Sequence, residues 1–342
     1  YYSEVHSRDS LDNNGMTLVS SVDLGEENAY WTGSQMIYGR AGNNVDNDFT
    51  SDYDVIGHEF THGVTSNEGN MQYKDEPGAL NEGWSDIFGV TAEAYRDGKT
   101  TSTWLLGDGL YNEAGKAFRY MDDPTKDGRS KDYYPDRYTG SDDNGGVHWN
   151  SGIANLAYVL LVDGGTHPRG KTSATVPSIG MGKAEKIFYH ALTTYLTQNS
   201  QFADARTATA SAAEDLYGAT EKNAVETAWC AVGVGDCPTG TPPPPGGGNV
   251  LENGTPVTGI SLASKETKKY TMEVPSGASN LVFKTTGNSG DADLYVKFGS
   301  EASNDTNDCK GVSEDSNETC NMSNIQAGTY HVTVEGYNAV SN

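Results

Sequence analysis

Basic residues are scarce. The chain has 23 Lys and Arg against 47 Asp and Glu, a formal net charge of −24. Such a field repels phosphate backbones and sets nucleic acid aside as a partner. Long apolar runs are missing too. The longest, Leu156 to Val162, is far too short to cross a bilayer, so no membrane is expected as a partner. Hydrophobic residues make up only 35%, yet 20 Tyr and 5 Trp supply bulk for packed cores and exclude a wholly disordered chain. Cysteine is sparse and paired: Cys230 with Cys237, and Cys309 with Cys320. Even number and short spacing predict two small disulfide loops and an oxidising compartment, four free thiols being the other reading. The start, Tyr1-Tyr2-Ser3-Glu4, has neither a basic n-region nor an apolar h-region, so it reads as a mature product or a piece of a longer chain. An acidic, hydrated surface fits a secreted protein and could gather Ca²⁺; solubility alone explains the charge equally well.

At 342 residues the chain exceeds one average domain, and two are expected. The sharpest boundary is Pro238 to Gly248, whose four consecutive prolines and following glycines read as an extended, flexible joint. Upstream, strand-like pieces at Met16–Val22 and Ser34–Tyr38 give way to helical patterns. Asp52 is placed to cap a helix through Val55, Ile56 and His58–His62, and Pro77 suits the first turn of a second helix ending near Gly98. Further helices are expected at Ser151–Val162, Lys183–Leu196, Ala203–Tyr217 and Glu221–Val232. This is an α+β arrangement. Downstream, Tyr270, Met272 and Val274, and again Tyr330, Val332 and Val334, alternate with polar residues as in a small β-sandwich.

The chemistry-bearing pattern is His58-Glu59-Phe60-Thr61-His62. On a helix, positions i and i+4 share a face, so two imidazoles can meet one ion while Glu59 stands beside it. Zn²⁺ suits nitrogen and carboxylate ligands held tetrahedrally with one position left for water. A third histidine six residues after His62 is ruled out, because that position is Glu68. Glu82, in Asn81-Glu82-Gly83-Trp84-Ser85-Asp86 on the next helix, is the better third ligand. Asp86, one turn on, could accept a hydrogen bond from a ligating imidazole. A further cluster runs Asp143-Asn144-Gly145-Gly146-Val147-His148. Asp143 could orient His148, and His148 and Tyr73 could each donate to a developing oxyanion. The plainer reading of these two is packing or a surface position. His6, His167, His190 and His331 have no ligand-spaced companions and read as surface or packing residues.

Together, HEFTH, NEGWSD and DNGGVHWNSG resemble the three main motifs of the thermolysin-like metallopeptidases, the vibriolysin- and pseudolysin-type secreted enzymes. Asn28 to Met36 is similar to that family's substrate-edge strand, and Phe118 to Pro124 to its substrate-arginine segment. The likeness covers residues 1–237. It implies a zinc-helix core with a helical C-terminal lobe, in an endopeptidase that cuts protein or peptide substrates on the amino side of hydrophobic residues. By that resemblance His58, His62 and Glu82 would bind zinc, Glu59 would be the general base, and Tyr73 and His148 would stabilise the oxyanion. Asp143 would orient His148, and Asp86 would orient His58. Arg119 would hold a substrate carbonyl, and Asn28, Ala29 and Trp31 would lie along the peptide as it adds a strand. Val55, Leu106 and Phe118 would line an apolar pocket. Asp54, Glu93 and Asp108 match calcium-binding positions, while Thr103 and Leu105 stand where thermolysin has acids, so a reduced, single-calcium site is expected. Solvated surface charge is the plainer alternative.

Residues 249–342 resemble the bacterial pre-peptidase C-terminal domain, most clearly at Asp291–Val296. That unit is expected to contact substrate or secretion machinery. By comparison with the family, the chain is expected to lack most of an N-terminal lobe and the sandwich's last strand. Two other functions stay open. A zinc aminopeptidase would share the ligand set, but its Gly-x-Met-Glu-Asn string is missing. A truncated, inactive relative would act through its sandwich as a binding module.

Overall fold

The structure, a computed structural model, describes residues 1–238 and 251–339 apart from 252, 255, 258, 259, 276 and 288. It contains two compact units, Tyr1–Thr241 and Pro242–Asn342. The expected linker lies outside the described residues except for Pro238. Among the described residues no helix is long and apolar enough to cross a membrane.

The first unit opens with a short helix, α1 (Tyr2–His6), and three strands, β1 (Ser20–Leu24), β2 (Ala29–Trp31) and β3 (Met36–Gly39). Their order is β1-β3-β2, so β2 is an edge strand. It packs beside α2 (Tyr53–Asn67), which is followed by α3 (Asp75–Asp97). Pro77 sits in the first turn of α3, where a missing N–H does no harm, and Gly98 closes the helix at φ +81°. Helices α2 and α3 meet backbone to backbone. A Cβ on Gly89 would lie 2.5 Å from the Asp54 carbonyl oxygen. Beyond them come a two-strand hairpin, β4 (Leu105–Leu106) with β5 (Arg119–Tyr120), and then α4 (Asp143–Asp163).

Two local expectations need correction. Asp52 occupies the N-cap position of α2, but its side chain makes no cap hydrogen bond; Oδ2 accepts the Gly109 N–H at 2.7 Å instead. The helix expected from Ser151 begins eight residues earlier, at Asp143. It starts through a left-handed turn, with positive φ at Asp143, Asn144, Gly145 and Gly146. Glycine adopts that conformation freely and Asp and Asn tolerate it, while apolar side chains do not. Asp143 then closes the turn by accepting the His148 N–H on Oδ2 at 2.8 Å.

A second short hairpin, β6 (Gly165–Thr166) with β7 (Thr175–Val176), leads to α5 (Met181–Thr194), α6 (Phe202–Tyr217) and α7 (Ala219–Ala231). A capping box between Gln201 and Asp204 starts α6. Fully buried Trp84, Phe88, Tyr158, Phe188 and Trp229 fill the core around α3 and α4. Both indole N–H groups are satisfied, Trp84 by the Phe188 carbonyl and Trp229 by the Thr209 hydroxyl. Cys230 and Cys237 are disulfide-bonded.

The second unit holds β8 (Thr267–Val274), β9 (Val282–Lys284), β10 (Asp291–Phe298), β11 (Cys309–Gly311), β12 (Thr319–Asn321) and β13 (Gly328–Asn338). A four-stranded antiparallel sheet, β11-β10-β13-β8, shares one core with the pair β12-β9. Phe283 from β9 meets Tyr330 from β13 at 6.0 Å between ring centres. Cys309–Cys320 joins the two sheets. The whole is α+β, as expected.

Candidate metal centre

Helix α2 puts His58 and His62 one turn apart with their Nε2 atoms 3.0 Å from each other. Helix α3 brings in the Glu82 carboxylate, with Oε2 at 3.5 Å from His58 Nε2 and Oε1 at 3.3 Å from His62 Nε2. Ligand atoms about 2.0–2.1 Å from a tetrahedral zinc stand roughly 3.3 Å from one another. The three donors therefore fit one such ion, and they form one of the two clusters of potential metal ligands among the described residues. All three are buried or nearly so, with Glu82 fully buried.

What aims both imidazoles the same way is the partner of each Nδ1. His58 Nδ1 lies 2.9 Å from Asp86 Oδ1. His62 Nδ1 lies 2.8 Å from Asn81 Oδ1 and 3.1 Å from Ser85 Oγ. With Nδ1 of His62 hydrogen-bonded and that of His58 facing the Asp86 carboxylate, each Nε2 is turned to offer its lone pair to a cation. Residues 81, 82, 85 and 86 are two adjacent pairs one helical turn apart, so one face of α3 supplies the carboxylate and both orienting partners. The sequence reading found Glu82 and Asp86 but not Asn81 or Ser85; the i, i+4 spacing of Asn81 and Ser85 was the available signal.

The electrostatics favour a cation. Burial alone would lower the His62 pKa, yet the neighbouring Glu82 and Glu59 carboxylates raise it to about 9. Burial would raise the Glu82 pKa, and His148, His62 and His58 hold it well below the ordinary range instead. Glu59, only 4% exposed, keeps an Oε2 that meets no donor among the described residues. Burial raises its pKa, partly offset by His58 and His62. A carboxylate made more basic in this way suits a proton acceptor.

Beside Glu82 stands a pair of donors. Tyr73 Oη donates to Glu82 Oε1 and lies 3.0 Å from His148 Nε2. His148 Nε2 is 3.5 Å from Glu82 Oε1, and its Nδ1 is 2.6 Å from Asp143 Oδ1. Arg119, at the start of β5, donates Nε and Nη2 to the two oxygens of Asp86 at 2.8 and 2.6 Å. Asn28 is exposed at the mouth of edge strand β2, followed by half-buried Ala29 and Trp31. Leu106 and Phe118 are joined by the Phe118 N–H to Leu106 carbonyl bond, with Leu106 buried and Phe118 half-exposed against Phe49 and Tyr111. Val55 is buried on α2 in the same core as Leu106.

The second cluster of potential metal ligands is Asp52, Asp54, Glu93 and Asp108. Three of these were expected; Asp52 was missed because its position matched a helix cap. Asp54 is fully buried, its Oδ2 accepts the Gly107 N–H at 2.9 Å, and its Oδ1 meets no donor among the described residues. Burial and then Asp52 and Glu93 raise the Asp54 pKa, and burial with Asp52 and Asp108 raises that of Glu93 to about 7. Such a cluster is strained without a counter-charge. Thr103 and Leu105 bring no carboxylate to it; the Thr103 hydroxyl accepts the Thr100 N–H. Of the other histidines, His6 stacks on Tyr189 at 4.1 Å, and buried His167 bonds the Asp132 carbonyl.

Comparison with known proteins adds the following. Residues 1–66 match the pattern of the thermolysin metallopeptidase catalytic domain, 69–234 that of the thermolysin metallopeptidase alpha-helical domain, and 266–336 that of the bacterial pre-peptidase C-terminal domain. A bacillolysin of Bacillus cereus is 46% identical over 240 residues, which is 68% of this chain and 41% of that protein. A thermolysin of Alicyclobacillus acidocaldarius subsp. acidocaldarius is 45% identical over 240 residues, 68% of this chain and 43% of its own length. The chain thus spans about two fifths of these curated relatives. The solved precursor of protealysin, a metalloproteinase from Serratia proteamaculans, is 34% identical with a TM-score of 0.58, covering 68% of this chain and 74% of that one.

Proposed function

The chain belongs to the thermolysin metallopeptidase family, and from that premise we propose that it is a secreted zinc endopeptidase acting on protein or peptide substrates. The observation that carries this reading is the convergence of His58, His62 and Glu82, with Glu59 alongside. A zinc ion held by these residues would supply an acidified water and polarise the scissile carbonyl. Glu59 takes the proton from the attacking water and later delivers it to the leaving amine. Tyr73 Oη and His148 Nε2 donate to the carbonyl oxygen as charge grows on it. Asp143 fixes the His148 ring, Asp86 that of His58, and Arg119 holds a substrate carbonyl. The free edge of β2, with Asn28, Ala29 and Trp31, takes the peptide as an added strand. Val55, Leu106 and Phe118 favour a hydrophobic residue after the cut bond. Asp54, Glu93 and Asp108, joined by Asp52, hold a structural calcium ion. Two disulfides and the acidic surface support an extracellular location. The C-terminal sandwich would contact substrate or the secretion machinery.

The test is Glu59→Gln. The variant should keep one zinc per chain while its cleavage of an N-blocked peptide falls at least 10²-fold, the scale of a lost general base. Wild-type turnover by that variant would remove Glu59 from the reaction. Mapping the wild-type cuts on casein checks the predicted hydrophobic residue after each.

A further inference from the structure

Asn155 sits in the most apolar stretch of the chain, on α4 between Ile153 and Leu156, and is 1% exposed. Its Nδ2 donates to Asp86 Oδ2 at 2.8 Å. A carboxylate only accepts, so the amide nitrogen must face it. The amide's Oδ1 is buried and meets no donor among the described residues. A buried amide satisfied on one side only is a poor choice for packing, since an apolar residue of that volume would avoid the unmet acceptor. The one bond it makes ends on the residue behind His58.

Asp86 is itself fully buried and its two oxygens divide their work. Oδ1 takes Arg119 Nη2 at 2.6 Å and faces His58 Nδ1 at 2.9 Å. Oδ2 takes Arg119 Nε at 2.8 Å and Asn155 Nδ2. Arg119 alone leaves the carboxylate free to tilt about the guanidinium plane. A second donor on Oδ2, arriving from another helix, fixes the rotation that points Oδ1 at His58. The helix is held in place to do this: a Cβ on Gly83 of α3 would lie 3.0 Å from the Ala154 Cβ. Asn155 also lies seven residues, two helical turns, beyond His148, so one face of α4 reaches both ends of the centre.

We infer that Asn155 is a positioning residue: through Asp86 it sets the orientation of the His58 ring and of Arg119, and so the affinity of the centre for zinc. This rests on the zinc reading above. Loss of its N–H leaves Asp86 able to swing between His58 and Arg119, which weakens metal binding and substrate binding together. Partners bonded directly to a ligand typically change metal affinity about 10–100-fold when removed, and Asn155 acts one bond further out, so its effect falls at or below the bottom of that range.

The experiment is chelator competition for zinc on the full chain, comparing wild type with Asn155→Leu, Asn155→Asp and Leu156→Ala. Asn155→Leu keeps the branched four-atom side-chain skeleton and removes the donor. It should bind zinc about three- to tenfold more weakly, with a raised KM. Asn155→Asp places a second carboxylate against Asp86 and should lose more, tens of fold. Leu156→Ala, equally buried on the same helix, should lower the unfolding midpoint and leave zinc affinity unchanged, which separates positioning from general loosening. If Asn155→Leu holds zinc as tightly as wild type, or if Leu156→Ala weakens it as much, the inference is overturned while the zinc centre stands. If wild type binds no zinc, the zinc reading falls first and this one with it.

Discussion

Tyr73 Oη and His148 Nε2 stand 3.0 Å apart beside Glu82, on residues that are both substantially exposed. Neither is a metal ligand, so their contributions separate from metal binding. Replacing Tyr73 by Phe, or His148 by Gln, should leave zinc content and KM near wild type and lower kcat by about 10²-fold each. Steady-state kinetics beside metal analysis decides it. A fall in zinc content that tracks the fall in kcat would mean these side chains support the metal rather than the reaction. At this scale the sequence was legible where a role follows from spacing. His58 and His62 declare themselves by their four-residue interval, and Glu82 with Asp86 by theirs. Asp52 was misread, because a cap rule looks only along the chain and cannot foresee that residues 107–110 return to the start of α2. Asn155 was passed over because it lies inside an apolar helix, and only the folded contact reveals its polar partner.

Between elements, the centre depends on how closely α2 and α3 approach. His58 and His62 come from one and Glu82 from the other, and Gly89 is the point of contact. A methyl there would lie 2.5 Å from the Asp54 carbonyl oxygen and 3.2 Å from the His58 nitrogen. Both are backbone atoms, which cannot rotate away. Gly89→Ala should destabilise the unit by about 1–3 kcal/mol, as overpacking does, and weaken zinc binding by moving the histidines off Glu82. Unchanged zinc affinity with an unchanged midpoint would show that the helices accommodate the methyl. The acidic cluster ties the same two helices to the loop at 107–110, and its pH behaviour follows from Glu93. The folded carboxyl has its pKa raised to about 7 from its ordinary value of 4.5, so the folded state keeps a proton that the unfolded chain has already lost. Without a cation, stability contributed by that proton is present below about pH 4.5 and is lost as pH rises toward 7. Asp54 shifts in the same direction. In the proposed calcium site, the ion would replace the missing protons. The rise in melting temperature on adding millimolar Ca²⁺ should therefore be small at pH 5 and larger at pH 8, in protein already loaded with zinc. An equal rise at both pH values, or none at either, would count against a calcium role for these acids.

For the molecule as a whole, the α+β class and the order of helices were readable because amphipathic periods and glycine stops are local signals. The left-handed entry to α4 was not, since a helix reading starts where regular periodicity starts, at Ser151, and Asp143 to Gly146 break that period by design of their backbone. Two hydrophobic cores follow from the change of period along the chain. Among the described residues, one draws its buried members from Tyr2 to Val234 and the other from Leu262 to Val334. Each disulfide also closes within one unit. Cooperativity extends as far as shared packing does, so calorimetry should give two transitions rather than one. Chelation of metal would remove binding energy from the folded state of the first unit, because both candidate ligand clusters among the described residues lie there. EDTA should thus lower one transition by several degrees and leave the other in place. Cleaving the chain between residues 238 and 248 should change neither midpoint. A single transition that moves as one with chelation would show instead that the two units unfold as one cooperative body.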